Sequence, residues 1–162
     1  MSISRIPALI ALGALVAVLP STAQAASSSV APCRAVVSDS VVPVWARNGF
    51  SEKRPRMPQT LGRAGRIDAI IWGNPLYSPS LVTRSNKILW VSKLPVGNLS
   101  TLRITAQRMR GTQRIGAPVT RTVAGGPGPS IIDMPAAGCW RLSLAWSGHH
   151  DSLDLSYRPR IS

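Results

Sequence analysis

Apolar and polar positions alternate most cleanly near the C-terminus, where Trp140, Leu142, Leu144 and Trp146 take turns with Arg141, Ser143, Ala145 and Ser147. A period of two sends the two sets to opposite faces of an extended chain, so this segment predicts a strand with one buried face. Beyond Gly148-His149-His150, Leu153, Leu155 and Tyr157 alternate with Asp154, Ser156 and Arg158, which completes a β-hairpin. The same grammar predicts strands over 36–38, 41–45, 67–72, 87–91, 99–107, 119–123 and 130–134. Turn markers stand between them: Gly73-Asn74-Pro75, Pro95-Val96-Gly97-Asn98 and Gly125-Gly126-Pro127-Gly128-Pro129. Fourteen prolines and thirteen glycines argue against long helices. The expected fold is all-β, an immunoglobulin-like antiparallel β-sandwich of seven to nine strands.

One segment breaks the pattern. Arg5 precedes an apolar run from Ile6 to Leu19, and Ala23-Gln24-Ala25 follows as a small-x-small site. This is the grammar of a cleavable signal peptide over 1–25; the run is too short for a transmembrane helix, which needs about 20 apolar residues. No cysteine directly follows the small residues, so no lipid anchor is expected there. Residues 26–32 read as a flexible tail and 33–162 as one domain. The expected location is secreted or extracytoplasmic, cell-wall association included, with no transmembrane segment after cleavage.

Charge sharpens the picture. The chain carries 19 Lys and Arg against 6 Asp and Glu, a formal net charge of +13. The stretch 47–66 holds Arg47, Lys53, Arg54, Arg56, Arg63 and Arg66 against Glu52, and 102–121 holds Arg103, Arg108, Arg110, Arg114 and Arg121 with no acid. The planar guanidinium suits bidentate contacts to phosphate or carboxylate. The candidate anion-binding residues are therefore Arg54, Arg56, Arg63 and Arg66 on a mobile loop, with Arg108, Arg110 and Arg114 on a second hairpin. The competing reading is a charged surface that serves solubility alone. Cys33 and Cys139 are the only cysteines, and in an oxidising compartment they form the only available intrachain bridge; two free or intermolecular thiols are the alternative.

The order Cys33, Gly73-Asn74-Pro75-Leu76-Tyr77, Lys87-Ile88-Leu89-Trp90 and Met134-Pro135-Ala136-Ala137-Gly138-Cys139-Trp140-Arg141-Leu142 spans the chain after the leader. In this it resembles a loose group of secreted or lipid-anchored bacterial envelope proteins of unknown function that share a closing Gly-Cys-Trp hairpin. The resemblance implies an immunoglobulin-like sandwich at the cell envelope and supports the disulfide, and it carries no reaction with it. Trp90-Val91 stands where the group has two adjacent tryptophans, and the lipobox is missing.

Catalytic constellations are thin. His149-His150-Asp151 holds both histidines of the chain, but neighbours on a strand face opposite ways, so a shared metal requires a bend, and no metal or other cofactor is expected. A hydrolase using either histidine, with Asp133 or Asp68 as orienter, lacks a Gly-x-Ser-x-Gly elbow. The carboxylates Asp39, Glu52, Asp68, Asp133, Asp151 and Asp154 form no evident glycosidase pair. Of the five tryptophans, Trp140 and Trp146 belong to the core pattern, while Trp45 and Trp72 are candidates for an exposed platform. The leading expectation is a noncatalytic envelope protein that binds an anionic polymer or an acidic partner. The alternative is a protein-interaction or protease-inhibitor-like module presenting Lys53-Arg54-Pro55-Arg56. Nucleic acid is not an expected partner.

Overall fold

The structure is a computed structural model that describes Met1 and residues 31–160. The rest of the expected signal peptide, and residues 26–30 of the expected tail, lie outside the described residues. Among the described residues ten strands form: β1 (Ser38–Val41), β2 (Arg56–Leu61), β3 (Ile67–Ile71), β4 (Leu76–Ser78), β5 (Lys87–Ser92), β6 (Thr101–Arg110), β7 (Gln113–Ala124), β8 (Pro129–Ile131), β9 (Gly138–Trp146) and β10 (His149–Pro159). They assemble into two five-stranded sheets, ordered β1-β2-β3-β5-β8 and β4-β10-β9-β6-β7. Neighbours are antiparallel except β4 and β10, which are parallel.

Ten strands exceed the expected seven to nine: β2 and β4 add two, while the segments expected over 36–38 and 41–45 give the single strand β1. The three-residue β4 carries too few positions for a period to show. Strand β2, Arg56-Met57-Pro58-Gln59-Thr60-Leu61, was expected to be mobile loop, since an arginine and a proline hide its alternation. Pro58 is tolerated because β2 meets β1 there, whereas its pairing with β3 begins only at Gln59. The strand expected over 41–45 also differs: β1 ends at Val41, and Val44–Ala46 is a single 3-10 turn.

The C-terminal hairpin has the expected faces and a shorter turn. Ser147 and Gly148, at φ 45° and 76°, make a two-residue loop, so His149 and His150 belong to β10, opposite Trp146 and Ala145. The sheets pack face to face on one core that includes Ile67, Ala69, Ile88 and Trp90 from the first, and Leu102, Ile104, Trp140, Leu142, Leu144 and Trp146 from the second. Each buried indole removes about 150–250 Å² from water, about 4–6 kcal/mol of gross burial. Their N–H groups are satisfied: Trp90 donates to Ser130 Oγ, Trp140 to the Ala136 carbonyl and Trp146 to Ser92 Oγ.

Two further devices shape the surface. On the outer side of the first sheet, residues 42–50 fold back over it, where Val42, Ala46 and Ile70 make a second small core with Trp45, Phe50, Met57, Leu89 and Val91. On the other side, the β2–β3 turn grips the edge of β10: Arg63 N–H donates to the Ser152 carbonyl, and the Ala64 and Arg66 N–H groups donate to the Asp151 carboxylate. Gly62 permits this approach, because a Cβ there would collide with the Asp151 carboxylate.

Candidate functional site

Strand register decides which side chains share the outer face of the second sheet. Core residues Ile104, Ala106, Leu142 and Leu144 point inward, so their neighbours in sequence point out. Four rows cross this face, read from β7 or β6 to β10. The first is Thr122, Arg103, Ala145 and His150; the second is Thr120, Thr105, Ser143 and Ser152. The third is Gln107, Arg141 and Asp154, and the fourth is Arg114, Met109, Cys139 and Ser156. The second row is a line of four hydroxyls on four strands, spanning about 15 Å at the usual interstrand spacing.

The lower rows are covered. Cys33 is bridged to Cys139 across 106 residues, with Cα atoms 6.2 Å apart, which settles the cysteines as one intrachain disulfide. Cys33 N–H also donates to the Gly111 carbonyl at the tip of the β6–β7 hairpin, so the segment after Pro32 is a strap over the face. Beneath it lies Asp154, with its side chain shut off from solvent. Its carboxylate accepts from Arg63 Nη2 at 2.6 Å, Arg141 Nε at 3.0 Å, Arg141 Nη2 at 3.1 Å and the Arg34 N–H at 2.8 Å. Burial alone would raise the Asp154 pKa, but the hydrogen bonds from Arg141 and Arg34 and the charges of Arg63 and Arg141 outweigh it and hold the carboxyl below its ordinary value. The same hydrogen bond raises Arg141. The cysteine sulfurs lie within 4.8 Å of the Asp154 carboxylate, but both are consumed in the disulfide, so this trio is no metal site.

The upper rows are open. Arg103, Thr120, Thr122, Ser143 and His150 are exposed, and Arg114 is exposed below them on β7. A shallow depression of about 210 Å³ lies between Thr105, Ser143, Arg114 and Arg141. Arg66 stands at the β10 edge of these rows, its Nη1 donating to the His150 carbonyl at 3.3 Å. The one carboxylate on these four rows is the buried, ion-paired Asp154, so the face presents guanidinium and hydroxyl groups without competing anions.

The arginines singled out in the sequence divide among three places. Arg63 and Arg66 sit on the turn that meets β10, while Arg54 and Arg56 lie at the far end of β2, about 20 Å away at about 3.3 Å per residue. The expected single mobile basic loop is thus corrected, because β2 is held between β1 and β3. Arg56 donates to the Asp39 carbonyl. On the other hairpin, Arg108 opposes Trp140 and lies against Gly138, Arg110 is exposed near the tip, and Arg114 alone faces outward on the open sheet. Sequence reasoning missed Arg103 as a member of this face, although its place between Leu102 and Ile104 signals an outward position.

The histidines occupy opposite faces of β10 and share no ligand position; His149 packs its edge against Trp146 with ring centroids 5.9 Å apart. Among the described residues, neither imidazole hydrogen-bonds to Asp68 or Asp133, and Asp133 instead accepts from Asn86 Nδ2. Trp45 packs into the small outer core rather than forming a platform. Trp72 is 50% exposed, stacked on Phe50 with the Lys87 ammonium 5.7 Å from its ring centroid.

The covered face of the first sheet holds two polar groups without partners, Gln59 Oε1 and both carboxyl oxygens of Asp68. Asp68 is fully buried opposite Leu61 and Val91, and that burial pushes its pKa up to about 6, against a weaker lowering influence of the Ala69 backbone N–H, which stands too far out of line to make a hydrogen bond. Leaving a buried acceptor unmatched costs about 1–3 kcal/mol.

No family model matches the chain, and no curated protein or solved structure matches it either. Among the described residues, no helix is long and apolar enough to cross a membrane.

Proposed function

We propose that this protein is an exported, noncatalytic module of the bacterial cell envelope that binds an anionic polymer on the open outer face of its second sheet. The observation that carries this reading is the row Thr120, Thr105, Ser143 and Ser152, flanked by Arg103 above and Arg114 and Arg141 below. Hydroxyls spaced across an open sheet face suit repeated hydrogen bonds to a polymer, and the guanidinium groups suit its phosphates or carboxylates. The binding set is therefore Arg66, Arg103 and Arg114, in place of a set centred on Arg54 and Arg56. The immunoglobulin-like character of the sandwich is part of the same proposal, supported by two face-packed sheets that are antiparallel but for one pair. The leader over 1–25 supports export, and the resemblance to envelope proteins of the Gly-Cys-Trp group points to the same compartment.

The test is co-sedimentation with purified bacterial cell envelope from about 50 to 500 mM salt, a range in which exposed charges become strongly screened. Binding is expected to weaken steeply with salt and to be lost in the Arg103→Glu/Arg114→Glu double variant, while Arg54→Glu/Arg56→Glu retains it. Salt-insensitive binding, or equal loss in both variants, would overturn the assignment to this face.

A further inference from the structure

Beside the β10 edge of that face lies a separate groove of about 390 Å³, between β1, β2 and the strap. Pockets that take small molecules begin at about this size. One wall is apolar, with Val36, Pro43 and Leu61, and the other is polar, with Ser38, Ser40 and Gln59. Gln59 is 6% exposed. Its Nε2 donates to the Ser40 carbonyl at 3.0 Å and to Ser40 Oγ at 2.7 Å. A carbonyl can only accept, so it dictates the amide orientation and leaves Oε1 as a fixed acceptor with no partner and with under 1 Å² of its surface open to solvent.

The rim is cationic. The Arg34 N–H is held by Asp154, while its guanidinium is exposed and has no hydrogen-bond partner among the described residues. Arg63 meets Asp154 through Nη2 and is 44% exposed in its side chain. Asp154 is already shared between Arg63 and Arg141, so the rim keeps a net positive charge.

We propose that this groove is a binding site for a hydroxylated carboxylate of the sugar-acid class. As the ligand parts the groove lining over Gln59, a ring hydroxyl donates to its Oε1, the carboxylate meets Arg34 and Arg63, and the carbon-bound hydrogens of the ring lie against Val36, Pro43 and Leu61. A simple anion satisfies the rim and leaves Gln59 unmatched; a neutral sugar does the reverse. The source of the ligand is either a free sugar acid or the end of an acidic polysaccharide lying across the adjoining hydroxyl row.

The experiment is a nuclear magnetic resonance titration of the full domain with galacturonate, methyl β-galactoside and acetate, following the Gln59 side-chain amide and Arg34. Galacturonate is expected to shift both saturably, with the other two at least about tenfold weaker, as for a site whose buried polar group must be matched. Arg34→Gln, which alters an exposed side chain, should bring galacturonate down to the galactoside level at unchanged melting temperature. An unmoved Gln59 amide, or a galactoside that binds as tightly as galacturonate, would overturn the site. A tetragalacturonate arm separates the sources: added shifts at Thr105 and Ser152 indicate a polymer end, and shifts confined to the groove a free acid. The Arg103→Glu/Arg114→Glu variant should keep galacturonate while releasing envelope, so the groove and the polymer face fail independently.

Discussion

The two outer faces of the sandwich solve opposite problems. On the first sheet, residues 42–50 cover Ile70 and leave Gln59 and Asp68 buried on the same side with acceptor atoms unmatched. On the second sheet the surface stays polar and open, and its one acid, Asp154, is met by two arginines and a backbone N–H. Hydrophobic cover and polar satisfaction are thus separated in space. The covered face is where stability is given up; the satisfied one displays free cations.

The largest disturbance of this contrast comes from the strap. Cys33→Ser/Cys139→Ser removes a cross-link closing a loop of 106 residues, for which chain entropy gives about 4–5 kcal/mol. The urea midpoint should drop accordingly, and hydrogen exchange should rise at Arg34 and Ser152. Next is Asp154→Ala, which strands Arg141, whose side chain is 16% exposed; a loss of about 3 kcal/mol is expected in urea denaturation. An effect below about 1 kcal/mol would show that the ion pairs on the second sheet contribute little.

Asp68 sharpens the other side of the comparison. Its folded-state pKa, about 6, lies above the ordinary 3.8, so the folded protein holds this proton more tightly than the unfolded chain. The contribution of Asp68 is then fully present below pH 4 and is lost as pH rises through about 6. Asp68→Asn should flatten that slope and raise stability at pH 8 by about 2 kcal/mol, read from thermal melts across pH 4–8. A wild-type slope of the opposite sign that Asp68→Asn abolishes would show that the carboxylate has a partner. The smallest effect on stability belongs to Arg103→Glu, within about 0.5 kcal/mol, although retention on envelope polymer at low salt should fall several-fold.

Much of the fold was legible because it rests on local periodicity. The Trp140–Trp146 alternation marked its strand and buried face, and a lone pair of cysteines defined the bridge. Strand β2 was hidden because Pro58 sits where only one neighbour needs hydrogen bonds, a matter of register rather than composition. Register also concealed the site. Thr105, Thr120, Ser143 and Ser152 are ordinary residues on four strands, and only pairing aligns them. Charge counting found clusters along the chain, but the β2–β3 turn sent Arg63 and Arg66 to one sheet while leaving Arg54 and Arg56 behind.

The place of β10, C-terminal to the nine other strands, sets an order of assembly. It lies between β4 and β9, and its Asp151 receives the turn at residues 64–66. A chain growing from its N-terminus therefore lacks both the strand that joins β4 to β9 and the anchor for the β2–β3 turn until β10 appears. Pairing over such sequence distances is slow, because loop closure precedes the contacts that reward it. All ten strands must consequently be made before both sheets can close, which leaves the growing chain short of its final packing until β10 has appeared.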